Sequence, residues 1–205
     1  MARPILPHQT KTPCIKKKGM LITRSILESD RALFHDSDPH CVGFDYEPEV
    51  FEYVFDGRIR RYTPDFRVWR KGLTCPVYEE VKNAKALSSR KTLAQLDVIN
   101  RSMSRSGRIF RIIGPSEIYK GPRYQNIQFL QRFVASQLSR PALELLAILR
   151  ASGQTTSINA CLGIVKNLCE TDVYIAIRHQ FLRIDLDQEI SGESEVAAAC
   201  LEVEQ

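Results

Sequence analysis

Three residues in the middle of this chain have the types and the spacing that catalysis requires: Asp65, Glu80 and Lys82. Asp65 follows a proline in RYTPDF, and Glu80 and Lys82 lie two positions apart in PVYEEVK. Because side chains alternate along a strand, we expect Glu80 and Lys82 to project from one face and Glu79 and Val81 from the other. Two carboxylates suit a divalent metal ion, and one ammonium group suits a water molecule or a phosphate. The pattern therefore predicts hydrolysis of a phosphodiester bond.

An acid after a proline, followed by Glu-x-Lys on the next strand, is the arrangement of PD-(D/E)xK nucleases. Simpler interpretations exist, with Asp65 as a turn residue and with Glu80 and Lys82 as a surface ion pair that contributes little. The apolar residues around Glu80 and Lys82 indicate a central strand, where unpaired charges are costly, and this favours the catalytic interpretation. Glu79 should face away from Glu80, toward solvent or a basic partner.

The elements before this motif are indicated by hydrophobic periodicity. SILESDRALFHD has helical spacing and begins at Ser25, a suitable N-cap that Glu28 would complete as a capping box. VFEYVFDGRIRRYTPDFRVWR predicts a hairpin with its turn at Asp56-Gly57. The return strand of this hairpin is expected to continue through Asp65 to Trp69.

The elements after the hairpin complete a first domain. A turn at Lys71-Gly72 leads into the strand PVYEEV, and a helix follows with Leu93, Leu96 and Ile99 on one face. RIFRIIG then predicts a buried strand that ends at Gly114-Pro115. A helix, three antiparallel strands, a helix and a strand predict an α/β fold with a PD-(D/E)xK restriction-endonuclease-like core over residues 21–120.

The remaining segments differ in kind. Residues 1–20 contain three prolines and KTPCIKKKG and are predicted to be a flexible basic arm. Residues 121–187 show three short helical patterns, and VYIAIRHQFLRIDL resembles a hairpin with His179 in its turn. These patterns predict a C-terminal winged-helix-like α+β domain. Residues 188–205 are predicted to form an acidic tail.

Charge is distributed unevenly along the chain. The net charge is +5, but residues 185–205 contain seven acidic residues and no Lys or Arg, so the remainder has a net charge of +12. A body this basic suits a polyanion such as double-stranded DNA, although a solvated basic surface with a disordered acidic tail explains the same counts. The tail is a candidate competitor for the basic face, or a site for a basic partner.

Composition also argues against several classes of protein. The six cysteines form no CxxC pair, and the spacing of His35, His40 and Cys41 matches no zinc pattern. No apolar run reaches the length of a membrane span, and MARPILPHQT lacks the apolar core of a signal peptide. We therefore expect reduced thiols, no membrane association and a cytoplasmic location.

At the level of whole segments, the chain resembles the TnsA family, the endonuclease subunit of heteromeric transposases. The resemblance rests on SILESDRALF, RYTPDF, the Glu-Val-Lys segment and the C-terminal winged-helix pattern, in this order. It implies an active site of Glu28, Asp65, Glu80 and Lys82, which cleaves the 5′ ends of a transposon. It also implies two protein partners, a TnsB-like DDE transposase that processes the 3′ ends and a TnsC-like AAA+ ATPase. The segment HDSDPHC departs from the family pattern but contains no proposed ligand.

Such a site would use one or two Mg²⁺ or Mn²⁺ ions. Glu28, Asp65, Glu80 and the main-chain carbonyl of Val81 are the expected ligands, and Lys82 would orient water or stabilise charge on the phosphate. The four side chains have a formal charge of −2, so the metal should be needed before a phosphate can bind. Glu28 has an alternative role as the capping-box partner of Ser25.

Several residues are candidates for contact with DNA. Cationic side chains suit phosphate contact, although Arg58, Arg60 and Arg61 fit a solvated strand face equally well. An amide on the helix after the Glu-x-Lys strand could approach DNA or the site. These candidates are Lys16, Lys17, Lys18, Arg58, Arg60, Arg61 and Gln95. Two other functions stay open at this point, a stand-alone nuclease of the restriction or resolvase type and a catalytically silent DNA-binding adaptor.

Overall fold

The computed structural model describes residues 9–199, which form a mixed α/β structure of eight helices and eleven strands. The chain divides between Tyr119 and Lys120 into two compact units. We refer to the first, Met1–Tyr119, as unit 1 and to the second, Lys120–Gln205, as unit 2. Within residues 9–199, no helix is both long and apolar enough to cross a membrane.

Unit 1 is built around a four-stranded sheet with a pair of hairpins beside it. Its elements are β1 (Thr10–Cys14), β2 (Gly19–Thr23), α1 (Ile26–Ser37), β3 (Cys41–Tyr46), β4 (Phe51–Phe55), β5 (Arg58–Tyr62), β6 (Phe66–Arg70), β7 (Val77–Val81), α2 (Ala84–Leu87), α3 (Arg90–Arg105), β8 (Ile109–Ile113) and α4 (Pro115–Ile118). The sheet has the order β3-β6-β7-β8, and β1–β2 and β4–β5 are separate two-stranded sheets. The first three strands are antiparallel neighbours, and β8 runs parallel to β7 because α3 provides the crossover between them.

Strand β7 is the centre of unit 1, and all five of its residues are buried. On one face, Glu79 contacts side chains of α1. On the other face, Tyr78 joins Tyr53, Leu96, Ile99 and Met103 in an apolar cluster. This cluster packs α3 and the β4–β5 hairpin onto the same side of the sheet.

Helix α1 begins where the sequence predicts. The Ser25 hydroxyl accepts a hydrogen bond from the Glu28 amide at 3.2 Å, which satisfies one of the free N–H groups of the first turn. In α3, the predicted core positions Leu96 and Ile99 are buried, whereas Leu93 is 44% exposed. The turn at Asp56-Gly57 is also confirmed, and both residues adopt positive φ, the region that Gly and Asp enter most easily.

The prediction of a flexible arm over residues 1–20 is wrong for residues 10–20. β1 and β2 pair in register from Thr10 opposite Thr23 to Cys14 opposite Gly19. The turn between them is fixed by Asp36, whose carboxylate accepts hydrogen bonds from the amides of Ile15 and Lys16 at 3.1 and 2.8 Å. Residues 1–8 lie outside the described part of the chain.

Two strand predictions near the motif also need correction. The return strand of the β4–β5 hairpin does not continue to Trp69, because it ends at Tyr62 and Phe66 begins β6 in a different sheet. Pro64 lies between them and has no N–H to donate to a ladder. Strand β8 is only partly buried, since it is the edge of the sheet and Ile109 is 36% exposed.

Unit 2 consists of helices and a small sheet. Its elements are α5 (Arg123–Gln131), α6 (Arg140–Ser152), β9 (Thr156–Ser157), α7 (Ile158–Ile164), α8 (Glu170–Arg178), β10 (Leu182–Ile184) and β11 (Glu195–Ala198). The three strands are antiparallel in the order β10-β11-β9. Leu145, Ile158, Val173 and Val196 are completely buried and bring the helices and the sheet into one core.

The C-terminal hairpin prediction is wrong in its first half. VYIAIR is the body of α8, because Asp172 accepts a hydrogen bond from the Cys169 amide at 3.0 Å and caps the helix. His179 ends this helix and does not lie in a strand turn. Residues 188–199 of the predicted acidic tail are part of the fold of unit 2: Val196 is buried, and Asn126 donates to the carbonyls of Leu186 and Gln188 at 2.9 and 2.7 Å. Residues 200–205 of that tail lie outside the described part of the chain.

The buried charge of Glu79 is neutralised inside unit 1. Glu79 is 1% exposed, and Arg31 on α1 donates to both of its carboxylate oxygens at 2.7 and 2.6 Å. His35 Nε2 lies 3.0 Å from Glu79 Oε2. Burial opposes ionisation of Glu79, but the contacts with His35 and Arg31 hold its pKa well below the usual range. The expected basic partner of Glu79 is thus present, and the expected exposure to solvent is not.

Removal of Glu79 should destabilise the whole of unit 1. Glu79→Ala leaves Arg31 charged and without its carboxylate partner in a mostly buried position, so we expect a loss of about 3–5 kcal/mol in the free energy of unfolding. The control is Glu52→Ala, which breaks the exposed Glu52–Arg61 pair and should cost about 1 kcal/mol or less. Urea denaturation measures both values. Equal effects would mean that the Glu79 cluster does not hold α1 on the sheet.

Candidate active site

The side chain of Asp65 completes the hydrogen bonding of β7. Pairing between β6 and β7 ends with Phe66 opposite Glu79, so the amide of Val81 extends beyond the last paired residue. Asp65 Oδ2 accepts a hydrogen bond from that amide at 2.7 Å. A buried N–H without a partner would be costly, and the geometry therefore fixes the carboxylate at the end of the strand. The main-chain carbonyl of Asp65 accepts a further bond from the Glu47 amide at 2.9 Å.

Glu80 and Lys82 form a pair on the face opposite to Glu79. Glu80 Oε1 accepts a short hydrogen bond from Lys82 Nζ, and Glu80 Oε2 accepts one from the Tyr62 hydroxyl at 2.5 Å. Lys82 Nζ also lies 3.4 Å from the carbonyl oxygen of Val81. Burial favours the neutral amine, but the charge of Glu80 outweighs it and raises the pKa of Lys82, which stays an ammonium ion.

The pKa of Asp65 is raised far above the usual range of an aspartate. Burial and the charge of Glu80 raise its pKa to about 7, although the Val81 amide and Lys82 act in the opposite direction. The charge of Glu28 raises it further. Three carboxylates therefore share one electrostatic environment with a single ammonium group, and a cation between them would relieve their repulsion.

Glu28 is a capping residue of α1, and its carboxylate also acts on the group around Asp65. As a capping residue, it accepts hydrogen bonds from the Ser25 hydroxyl and from the Arg24 amide, both at 2.9 Å. Its second oxygen also accepts a bond from the Tyr46 hydroxyl at 2.5 Å. Its charge acts on both Asp65 and Lys82, so the start of α1 lies beside the same group of residues.

The donor set fits a hard divalent cation. Carboxylate oxygens from Asp65, Glu80 and Glu28, with the Val81 carbonyl, are the ligand types that Mg²⁺ and Mn²⁺ prefer. Among residues 9–199, no three His, Cys, Asp or Glu side chains converge closely enough to hold a metal without rearrangement. The hydrogen bonds to Tyr62, Lys82 and the Val81 amide occupy the same oxygens, so metal binding would require Glu80 to exchange the Lys82 contact for the ion.

The predicted DNA-contacting residues have different surroundings. Lys16 Nζ donates to the carbonyls of His35 and Asp38 at 2.7 and 2.5 Å, and Lys17 Nζ lies 2.9 Å from Asp45 Oδ1. These two cations are engaged within unit 1. The predicted residues whose side chains are exposed to solvent are Lys18, Arg58, Arg60 and Arg61.

Among the described contacts of Gln95, none is with Asp65, Glu80 or Glu28. Its amide donates to the Tyr53 hydroxyl at 2.6 Å and thereby ties α3 to the β4–β5 hairpin. The segment HDSDPHC is only partly a loop, because His35, Asp36 and Ser37 form the end of α1. In the part that follows, His40 is exposed and Asp38 pairs with Arg70 at 2.9 Å.

Two tyrosines at this site were not identified from the sequence. Tyr62 orients Glu80 and Tyr46 orients Glu28, each by a hydroxyl bond of 2.5 Å. Each carboxylate raises the pKa of its tyrosine, after the larger effect of burial, so both hydroxyls remain proton donors. Each tyrosine lies 18 residues from its glutamate in the sequence, so no periodic pattern links the two partners. The position of Tyr62 three residues before Asp65 is the one feature of the sequence that places either tyrosine near the motif.

No protein-family model and no curated protein matches this chain. The interpretation of the site therefore depends on its geometry and on the sequence pattern.

The raised pKa of Asp65 predicts a pH-dependent stability in the absence of metal. As pH rises from about 4 to about 7, the unfolded chain releases the Asp65 proton before the folded chain does, and the folded state loses stability. Asp65→Asn removes this loss, and each 1 kcal/mol regained raises the melting temperature of a chain of this size by about 2–4 °C, so at about pH 8 in EDTA the variant should melt at least that far above the parent.

At about pH 3, below both pKa values, Asp65 is mostly protonated in the folded and the unfolded state, and the two proteins should melt at nearly the same temperature. Asp97→Asn is the control, because Asp97 is an exposed residue on α3, paired with Arg101 at 2.5 Å. A melting temperature of Asp65→Asn below that of the parent at both pH values would assign Asp65 a structural role instead.

Proposed function

We propose that this chain is a metal-dependent DNA endonuclease that cleaves the 5′ ends of a transposon during cut-and-paste transposition. The observation that carries the proposal is the grouping of Asp65, Glu80 and Lys82 at adjoining ends of β6 and β7. Glu28 adds a third carboxylate from the start of α1. Two strand-end carboxylates with one ammonium are the groups that hydrolysis of a phosphodiester needs.

Each residue has a defined part in this reaction. Glu28, Asp65, Glu80 and the Val81 carbonyl would hold one or two Mg²⁺ or Mn²⁺ ions, which lower the pKa of water and neutralise phosphate charge when bound. Lys82, which is an ammonium ion, would orient the attacking water or stabilise the charge that builds on the phosphate. Tyr62 and Tyr46 would keep the carboxylates of Glu80 and Glu28 oriented.

The arrangement of elements supports the two domain types that the sequence predicts. The sheet β3-β6-β7-β8, flanked by α1 and α3, supports a PD-(D/E)xK core for unit 1. In unit 2, the order α6, β9, α7, α8, β10, β11 supports a winged-helix-like domain. The strand β9 before the second helix and the pair β10–β11 after the third would form its sheet.

Charge supports DNA as the substrate of unit 1. Residues 1–119 contain 21 Lys and Arg against 14 Asp and Glu, a net charge of +7. Residues 120–205 contain 8 against 10, a net charge of −2. Unit 1 therefore carries the larger part of the chain's basic excess, which suits a polyanionic substrate at the proposed active site.

The resemblance to the TnsA family supports the transposon assignment. It supplies the expected partners, a TnsB-like DDE transposase at the 3′ ends and a TnsC-like AAA+ ATPase as regulator. The corresponding location is the bacterial cytoplasm, and five free cysteines among residues 9–199 suit its reducing conditions.

Cleavage of DNA should depend on a divalent metal. With carboxylates in excess of cations at the site, we expect negligible cleavage of donor DNA in EDTA and recovery with Mg²⁺ or Mn²⁺. Ca²⁺ should compete for the same ligands and support cleavage poorly. Strand-specific mapping of the cuts measures this, with Glu80→Gln as the inactive control. Full activity of the parent under chelation would refute the proposed site.

In cells, loss of this activity should change the product of transposition. If the chain cuts only 5′ ends, Asp65→Ala leaves 3′ joining intact, and replication converts the branched product into a donor–target cointegrate. Lys82→Ala should shift products in the same direction less completely, because it leaves the metal ligands in place. The ratio of cointegrates to simple insertions, with all transposition genes present, measures both effects.

Two other outcomes of that assay have definite meanings. Simple insertions from both variants would show that Asp65 and Lys82 are not catalytic. Loss of every product would instead assign the chain a part in assembly, or in cleavage at the 3′ ends.

A further inference from the structure

The outward side of helix α3 is strongly basic. Leu96, Ile99 and Met103 are buried beneath the helix, whereas Arg90, Lys91, Arg101 and Arg105 are exposed on its other side. From residue 84 to residue 111 the chain contains seven Lys and Arg and one acidic residue, Asp97. The helix is amphipathic, and its face away from the core carries these four cations, of which Arg101 is paired with Asp97 at 2.5 Å.

The positions of two of these cations are not explained by folding. Arg90 and Lys91 begin α3, and its first turn contains no acidic residue. The helix dipole places partial positive charge at this end, where acidic side chains are favoured and cations are disfavoured. Arg90 and Lys91 therefore destabilise the start of α3 slightly. Because they lie next to the proposed active site, we take them as candidates for binding an anionic ligand.

The β4–β5 hairpin extends the same charge. Arg58, Arg60 and Arg61 are exposed along β5. Arg61 has a loose contact of 3.5 Å with Glu52, and the Arg60 guanidinium lies over the Phe55 ring at 5.3 Å. With the exposed α3 residues, these form a set of seven cations, six of them arginines, which we call the basic surface: Arg58, Arg60, Arg61, Arg90, Lys91, Arg101 and Arg105.

The basic surface begins beside the proposed active site, and its α3 part continues away from it, because α3 crosses from the end of β7 back to the start of β8. The hairpin and α3 pack on the same face of the sheet through Tyr53, Tyr78 and Leu96. Strand β5 ends at Tyr62, which donates to Glu80, and α3 follows Lys82 after one short helix. At 1.5 Å per residue, Arg90 and Arg105 are about 22 Å apart, a length that spans about six phosphates of one DNA strand.

We propose that the basic surface binds the phosphate backbone of double-stranded DNA and thereby holds the duplex against Glu80 and Lys82. This inference rests on the proposed function and assigns the substrate to one face of unit 1. An elongated row of cations matches regularly spaced phosphates, and the planar guanidinium of arginine binds two phosphate oxygens at once. The predicted contacts of Arg58, Arg60 and Arg61 then belong to a surface whose larger part lies on α3.

The test uses two pairs of substitutions matched in helix position. Arg90 is the first residue of α3 and Arg105 lies in its last turn; Arg140 is the first residue of α6 and Arg150 lies in its last turn. All four side chains are exposed. Two full-length double variants are compared with the parent: Arg90→Gln with Arg105→Gln, and Arg140→Gln with Arg150→Gln. Each protein is titrated into a labelled DNA duplex in EDTA at several salt concentrations.

Each lost phosphate contact lowers the slope of log affinity against log salt by about 0.9. The α3 pair should therefore reduce the slope by about 2 and weaken binding at least about tenfold at about 0.1 M salt, with the melting temperature unchanged. The α6 pair should bind like the parent. Equal slopes for the two pairs would overturn the inference, as would equal binding of the parent to a polyglutamate of the same charge as the duplex.

The hairpin provides a second measurement, independent of the stability of α3. Arg58→Gln with Arg60→Gln should lower the slope by a similar amount, because neither arginine forms an ion pair among the described residues. If the parent cleaves DNA with Mg²⁺ but the α3 and hairpin variants bind DNA as tightly as the parent, this inference is overturned and the proposed nuclease function stands. Loss of binding in both variants of a chain that never cleaves would support the surface and refute the nuclease.

Discussion

The structure of unit 1 depends on one constraint, which is that two consecutive glutamates occupy a strand buried on both faces. Alternation along β7 sends Glu79 toward α1 and Glu80 toward the hairpin, so the two charges are never on the same side. Each needs a cation, because a buried carboxylate without one is unstable. Arg31 serves Glu79 and Lys82 serves Glu80. The first pair joins α1 to the sheet, and the second belongs to the proposed site.

The β4–β5 hairpin is an integral part of this arrangement. It forms its own two-stranded sheet, yet Tyr53 packs with Tyr78 and Leu96, and Tyr62 donates to Glu80. A shift of the hairpin would move Tyr62 away from Glu80. The same hairpin exposes three arginines, so the orientation of a proposed catalytic carboxylate and the proposed DNA contacts depend on the same element.

The predictable part of the site is the part determined by neighbours in sequence. The Glu80–Lys82 pair follows from strand alternation over three residues, and the Ser25–Glu28 bonds follow from helix capping over four. Asp65 was predicted as a ligand from its motif, but its bond to the Val81 amide depends on where β6 stops pairing. Tyr46 and Tyr62 could not be predicted, because each reaches a partner 18 residues away.

The sequence by itself determined the local elements: the cap of α1, the turn at Asp56-Gly57, the buried face of α3 and the alternation on β7. These depend on contacts within a turn or between adjacent positions. Tertiary structure alone decided that β5 and β6 belong to different sheets, that VYIAIR is helical, and that residues 195–198 form a strand. An alternating apolar segment fits a strand or a buried helix equally well, and the cap at Cys169 and the packing around Val173 select the helix.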